Sequence, residues 1–175
     1  MLFRSGALQL LERVQVDSVF LPASEDDTGI KAGLEQSDSR IIYVDTRTEI
    51  AVPEGKIQLY PPVLQEKDNN SGVCVLATSA EYDILVTGDL DRFAEMRLLS
   101  HWGLPDVDLL VAGHHGAHDS TCQTLLEYVR PETVVISVGE DNPYGHPASE
   151  TLQRIESAGA DILRTDRIGT ITIHP

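Results

Sequence analysis

The stretch Leu109-Leu110-Val111-Ala112-Gly113-His114-His115-Gly116 decides the fold, because it is a short apolar strand that ends on two adjacent histidines. Strands that are apolar on both faces are typical of a sheet buried between other layers. The glycine after the histidines lets the chain leave the sheet on a sharp turn. Imidazole nitrogens are ligands for Zn²⁺ and similar divalent ions, so this strand end predicts half of a metal site.

Two other segments place metal-ligating side chains in a similar position. The run Leu85-Val86-Thr87-Gly88-Asp89 ends a second apolar strand on an acid, and Tyr144-Gly145-His146-Pro147 puts a histidine just before a helix. Each has an ordinary alternative, since an aspartate after Gly is often a turn or helix cap and a histidine before Pro can be an N-cap. Only together, at neighbouring strand ends, do they favour a metal site, whose predicted ligands are Asp89, His114, His115 and His146.

Strand-like and helix-like patterns alternate along the chain, which indicates an α/β fold with a mixed sheet. The patterns predict strands at 16–22, 41–44, 57–60, 73–77, 82–87, 107–112, 133–138 and 168–173. They predict helices at 6–14, 29–35, 92–102, 121–129 and 147–158, with Ser120 as a candidate cap of the fourth. With 175 residues and no repeat, the chain is expected to form one domain over 1–175.

Composition limits the classes of function that the chain can have. The formal net charge of −15 opposes long-range attraction to nucleic acid, although a bound divalent cation would reverse the local sign. The apolar runs are far shorter than the roughly 20 residues that span a bilayer, and the N-terminus has no signal-peptide core. Cys74 and Cys122 form neither a CxxC pair nor a disulfide framework, so both are interpreted as buried thiols.

The predicted ligand set suits Zn²⁺ or Mn²⁺, because both accept imidazole nitrogen and carboxylate oxygen. Such a site lowers the pKa of bound water, and two ions can stabilise the entering and leaving oxygens of an ester or phosphodiester. Hydrolysis is therefore the predicted reaction class. His118 and Ser120 follow the histidine pair, where they either contact substrate or cap the next helix.

From Asn69 to the C-terminus, the chain resembles the metallo-β-lactamase-fold domain of the ComEC/Rec2 family of DNA-uptake competence proteins. The resemblance is carried by Asn69-Asn70-Ser71, by Leu85 to Leu90, by Val111 to Gly116, by the run from Arg130-Pro131 to Gly139, and above all by Asp141-Asn142-Pro143-Tyr144-Gly145-His146-Pro147. It implies an αββα sandwich, a divalent-metal hydrolase site and a role in handling DNA. The candidate substrate-binding residues are Asn70, Ser71, His118, Ser120 and Asn142.

One hallmark of the superfamily does not occur in this sequence. The HxHxDH-type loop, which supplies the first metal ligands, would precede everything described above, yet the chain has no histidine before His101. The opening from Gly6 to Leu11 resembles the helix that follows this loop, so the domain is expected to be incomplete at its N-terminus. A fragment of a longer protein, a truncated gene and a degenerate relative are all open explanations.

These expectations lead to three functional hypotheses. The first is the C-terminal part of a metal-dependent phosphodiester hydrolase, inactive or weakly active alone, with weak metal binding. The others are a non-catalytic α/β interaction domain and a small-molecule metallohydrolase. Expected partners are DNA or another phosphodiester, the missing N-terminal part of the domain, and a second copy bound through an exposed sheet edge. The resemblance implies the extracytoplasmic side of the cell membrane, although no membrane segment is found in the sequence.

Overall fold

A computed structural model describes residues 9–11, 13–23, 33–34, 37–63 and 69–173. Within these residues the chain forms a two-stranded and a seven-stranded sheet. The small sheet pairs β1 (Ser18–Pro22) with β2 (Arg40–Val44) in parallel. The predicted β-strand positions at 16–22 and 41–44 are confirmed. Residues 6–8 and 12 of the predicted helix 6–14, and residues 29–32 and 35 of the predicted helix 29–35, lie outside the described residues.

The seven-stranded sheet runs in sequence order, β3 to β9. Its first four strands form an antiparallel meander, and the strands from the fourth to the last are parallel to one another. The strands are β3 (Thr48–Val52), β4 (Gly55–Tyr60), β5 (Cys74–Ser79), β6 (Asp83–Val86), β7 (Leu109–Val111), β8 (Thr133–Ile136) and β9 (Asp161–Arg164). The α/β class with a mixed sheet is confirmed.

Helices connect the parallel strands, as parallel pairing requires. They are α1 (Arg92–Trp102), α2 (Gln123–Val129) and α3 (Ser149–Ala158), and the single turn α4 (Thr165–Ile168) follows the last strand. Asp91 caps α1 by accepting from the amides of Phe93 and Ala94 at 2.9 and 3.0 Å, and Gly159 ends α3 in the left-handed conformation. The core lies between the sheet and these helices, with Leu76, Leu85, Leu110, Val134, Leu98, Leu125 and Ile155 fully buried.

Two parts of the strand prediction were wrong. Strand β3 was missed because its short Thr48–Val52 run carries Glu49 and is largely exposed at the sheet edge. The last strand is Asp161–Arg164 and not 168–173, because the position beside β8 pairs Val134 with Ile162 and Val135 with Leu163. The alternating Ile and Thr residues at 168–173 therefore form no strand.

The edge strands of the seven-stranded sheet are β3 and β9. Unpaired strand edges can pair with another chain, so the homodimer through an edge stays a prediction. None of the helices in the described parts of the chain is long and apolar enough to cross a bilayer.

Candidate functional site

The predicted ligands follow three adjacent parallel strands, so the sheet brings them to the row formed by the carboxyl ends of these strands, which is called the carboxyl edge below. Asp89 lies on the turn after β6, His114 and His115 follow β7, and His146 lies in the loop after β8. The backbone ties the first two turns together, because the His114 amide donates to the Gly88 carbonyl at 2.9 Å. The carboxyl ends of parallel strands are the usual place for a site in an α/β sheet.

Three imidazole rings converge at this edge. The ring of His114 lies 6.4 Å from that of His115 and 5.8 Å from that of His146, measured between centroids. His115 is fixed by a 2.7 Å hydrogen bond between its Nδ1 and the Ser137 carbonyl. Since a carbonyl only accepts, Nδ1 carries a proton, which leaves Nε2 as the nitrogen that could bind a metal ion.

The histidine pair has an unusual backbone. Gly113–Gly116 forms a single 3₁₀ turn in which His114 has φ 47° and His115 has φ 58°. Left-handed conformations are costly for residues with a Cβ and persist only where the surroundings hold them in place. Both histidines are half-buried, and hydrogen bonds to the Gly88 and Ser137 carbonyls hold them at the end of β7.

A buried glutamate holds this turn through a chain of hydrogen bonds. Glu95 on α1 is fully buried, and its two carboxylate oxygens accept from the amides of Thr121 and Cys122 at 2.7 and 2.8 Å. Thr121 is itself in the left-handed region with φ 50°, and its hydroxyl accepts from the Gly113 amide at 2.9 Å. The path from Glu95 through Thr121 to Gly113 thus ends next to the histidine pair.

Burial raises the pKa of the Glu95 carboxyl to about 7, against the hydrogen bonds from Cys122 and Thr121 and the charge of Arg154, which lower it. Beside it, Thr87 is fully buried and its hydroxyl has no hydrogen-bond partner within the described residues. Close packing fills the space between these groups, because a Cβ on Gly113 would lie 3.2 Å from Glu95 Oε1 and 3.2 Å from Thr87 Oγ1.

Arg154 on α3 fixes the segment that follows the histidines. Its guanidinium donates to the carbonyls of His118 and Ser120, each at 2.9 Å, and to the carbonyl of Thr121 at 3.3 Å. Ser120 is fully buried, and its hydroxyl donates to the Gly113 carbonyl at 2.6 Å. Because α2 begins at Gln123, with Cys122 at its N-cap, the prediction that Ser120 caps this helix was wrong.

The loop that carries His146 is held by Asn142. The Asn142 side chain accepts from the His146 amide at 2.9 Å and donates to the His146 carbonyl at 2.7 Å. The Tyr144 ring stacks on the His146 ring at 5.9 Å with a 19° angle between the planes. Burial and the neighbouring His114 and His115 lower the pKa of His146, so this imidazole favours its neutral form.

As a metal centre, this arrangement is incomplete. Imidazoles whose rings are held by hydrogen bonds are suitable metal ligands. However, the described residues contain no group of three His, Cys, Asp or Glu side chains arranged to hold one ion. The cysteines do not add to the set, because burial, followed by the charge of Glu95, raises the pKa of Cys74 to about 12 and that of Cys122 to about 11. The described residues therefore bring imidazoles together without completing a metal site.

The other predicted site residues have different surroundings. Asn70 is buried and accepts from the Asp91 amide at 2.9 Å, so it supports the start of α1, and Ser71 follows it in the 3₁₀ turn Asn69–Ser71. His118 is exposed, with its ring 4.0 Å from the Asp119 carboxylate. Asn142 and His146 line a common cleft. Of the five predicted substrate contacts, Asn142 thus lines the cleft beside His146 and His118 is exposed, whereas Ser120 is buried.

Glu95 and Arg154, which hold the histidine turn and the segment after it, were not predicted from the sequence. A signal for Glu95 was available, because it lies three and four residues before Leu98 and Leu99 and so shares the buried face of α1. A charged residue at a core position of a helix needs partners. No comparable signal exists for Arg154, whose partners are backbone carbonyls more than 30 residues away in sequence.

Comparison with known proteins gives relatives of one kind, although no family model matches the chain. ComE operon protein 3 of Bacillus subtilis is 29% identical over 153 residues, which is 78% of this chain and 19% of that protein. Competence protein ComA of Neisseria gonorrhoeae is 37% identical over 115 residues, 65% of this chain and 17% of that protein. The chain thus spans less than a fifth of the length of either relative.

Solved structures show the same fold. CmlA, a diiron β-hydroxylase from Streptomyces venezuelae, superimposes with a TM-score of 0.57 at 14% identity, over 94% of this chain and 41% of CmlA. Igni18, a metallo hydrolase from Ignicoccus hospitalis, gives a TM-score of 0.52 at 19% identity, over 90% of this chain and 69% of that one. Sequence relatives and fold agree with the motifs: the chain has a metallo-β-lactamase-like fold and is similar in sequence to competence proteins of the ComEC family.

Proposed function

We propose that this chain is the C-terminal part of a metal-dependent hydrolase domain that acts on DNA phosphodiesters during competence, and that on its own it is inactive or weakly active. The observation that carries the proposal is the convergence of His114, His115 and His146 at the carboxyl edge of three parallel strands. A place outside the cytoplasmic membrane belongs to the same proposal and is supported by the relationship to competence proteins.

The chemistry of this edge supports hydrolysis in two ways. A divalent metal, when bound in a complete site of this kind, activates water for attack on the ester. The residues of this chain do the positioning: the Ser137 carbonyl sets the tautomer of His115, Asn142 fixes the backbone of His146, and the Glu95 network holds the turn of His114. Positioning of this precision is what a hydrolytic site requires.

Metal binding by the chain alone is expected to be weak. Titration with Zn²⁺ and Mn²⁺ in a calorimeter should give dissociation constants above the micromolar range, because a closed zinc site uses four ligands and the described residues show no group of three. Exchange of His114 for alanine should weaken the remaining binding by about tenfold or more, judged from the effects of changes around metal sites. Exchange of the distant, exposed His101 is the matched control. Sub-micromolar affinity would contradict the prediction.

Activity gives the decisive test of the proposed function. We expect cleavage of a single-stranded oligonucleotide in the presence of Mn²⁺ to be absent or marginal for this chain and clear for a version extended at its N-terminus by a HxHxDH-type segment. The same extended version with His146→Ala should lose the activity. The proposal fails if the extended version is inactive, or if the chain alone cleaves as fast and keeps its rate when His146 is replaced.

The charge of the chain favours one alternative. A formal net charge of −15 repels polyanions at long range, so a small ester or phosphodiester would approach the site more readily than DNA. If the extended version hydrolyses small phosphodiesters but no oligonucleotide, the small-molecule metallohydrolase replaces the DNA hydrolase as the proposed function.

A further inference from the structure

A cleft of about 250 Å³ opens beside the imidazoles, on the side of the loop that carries His146. Its walls come from the end of β8, from that loop and from the start of α4. The lining residues are His115, Ser137, Val138, Gly139, Asn142, Tyr144, His146 and Thr165. Since His115 and His146 belong both to the cleft and to the imidazole cluster, a group bound in the cleft lies next to that cluster.

The polar groups of the cleft walls are already engaged within the protein. The Ser137 carbonyl accepts from His115, and the Asn142 amide is bonded to the backbone of His146. The Thr165 hydroxyl accepts from the Val138 amide at 2.7 Å and donates to the Val138 carbonyl at 2.8 Å. A ligand in the cleft therefore meets mainly flat and apolar surfaces.

The mouth of the cleft is formed by an exposed aromatic ring. Tyr144 is 79% exposed, the highest value among the large exposed apolar side chains of the described residues. Its ring lies nearly parallel to the His146 ring, with 5.9 Å between the centroids, and most of its surface is open to solvent. An exposed aromatic face is the feature on which nucleobases stack, independent of base identity.

Charge and size restrict the occupant further. None of the lining residues is a lysine or arginine, so the cleft is not suited to a phosphate group. The volume lies just below the 300–1,000 Å³ range of sites for drug-sized ligands, which favours one planar ring system. We infer that the cleft bounded by Tyr144 and His146 binds a nucleobase of a single-stranded nucleic acid, so that the adjoining phosphodiester lies at the imidazole cluster. The inference rests on the proposed function and specifies how its substrate is held.

The test uses the chain as it is, without metal, and records ¹H–¹⁵N spectra during titration with thymidine. We expect weak binding with shifts at Gly139, Gly145 and His146, and little change of affinity with salt, because no counterions are released from a neutral ligand. Deoxyribose 5-phosphate should leave these signals unchanged. The inference is overturned if thymidine shifts no cleft signals, or if N-acetyltryptophanamide shifts them with equal affinity.

Variants separate stacking from general loss of structure. Tyr144→Ala should weaken thymidine binding at least about fivefold, which corresponds to the lower end of the effect of one lost base–aromatic stack. Tyr144→Phe keeps the ring and should bind like the parent, as should Tyr128→Ala, which removes an exposed tyrosine from α2. Equal affinity of Tyr144→Ala and the parent would refute the inference.

The two proposals fail separately. If thymidine binds in the cleft but the extended version has no phosphodiesterase activity, the proposed nucleobase site stands and the proposed hydrolase function is rejected. If the extended version cleaves oligonucleotides with a KM that Tyr144→Ala does not change, the proposed hydrolase function stands and the proposed nucleobase site is rejected.

Discussion

Replacement of Glu95 by alanine is expected to lower the free energy of unfolding by about 2–4 kcal/mol, because it leaves a cavity and two buried amides without an acceptor. The two amides belong to Thr121 and Cys122, and the side chain is fully buried. Loss of these bonds also releases Thr121 from its left-handed conformation and, through it, the Gly113 amide. The signals of the histidine turn should therefore shift together with the loss of stability.

Glu95 should also make stability depend on pH. Its pKa is about 7 in the folded chain and near the ordinary value of 4.5 when the chain is unfolded, so the native state holds the proton more tightly. The stabilisation by this proton is fully present below pH 4.5 and is lost as the pH rises toward 7, in total about 3 kcal/mol. The lowered pKa of His146 acts in the opposite direction, since its contribution is lost as the pH falls below the ordinary value of 6.5.

Urea denaturation between pH 4.5 and 8, with EDTA present, measures this effect as the difference between the parent and Glu95→Gln. Glutamine cannot titrate, so the parent should lose stability relative to the variant as the pH rises. Glu156→Gln, at an exposed position of α3, is the control that should follow the parent. A constant difference between parent and Glu95→Gln over this range would show that Glu95 does not titrate as expected.

The second large effect is expected at Gly116, the last residue of the histidine turn. It has φ +80°, and an added Cβ would lie 2.7 Å from Pro147 Cβ and 3.3 Å from Ile136 Cγ2. Its carbonyl accepts from the Ala148 amide at 2.9 Å, so this glycine joins the turn of His115 to the loop of His146. Gly116→Ala should cost about 2–5 kcal/mol, the sum of left-handed strain and an overpacked contact.

Gly159→Ala is the matched control for this variant. Gly159 has nearly the same φ of +83°, but an added Cβ would meet nothing within 4 Å. It should lose only the strain component, about 1–2 kcal/mol. If both alanine variants lose the same stability in urea denaturation, the contact between Gly116 and Pro147 has no role in joining the two loops. Shifts of the His115 and His146 signals only in Gly116→Ala would support that role.

Much of the fold could be predicted from the sequence, because its signals are local. The apolar run before His114 marks β7, and the helix at 92–102 is predicted to the residue from its spacing and from Gly103. Errors arose where tertiary pairing overrides propensity. Residues 168–173 alternate like a strand, but Asp161–Arg164 takes the side of β8 that β7 does not occupy.

The sequence by itself determined which polar side chains lie at the strand ends. Each of them follows a recognisable apolar strand or precedes a predicted helix, as seen for Asp89, the histidine pair and His146. Only the tertiary structure decided that the three imidazoles meet, that Ser120 faces inward, and that Glu95 and Arg154 hold the turn from behind. The reason is physical. A strand end is specified by neighbouring residues, whereas the hydrogen bonds that hold a strained turn come from helices some 20 to 40 residues away in the chain, brought close by packing against the sheet.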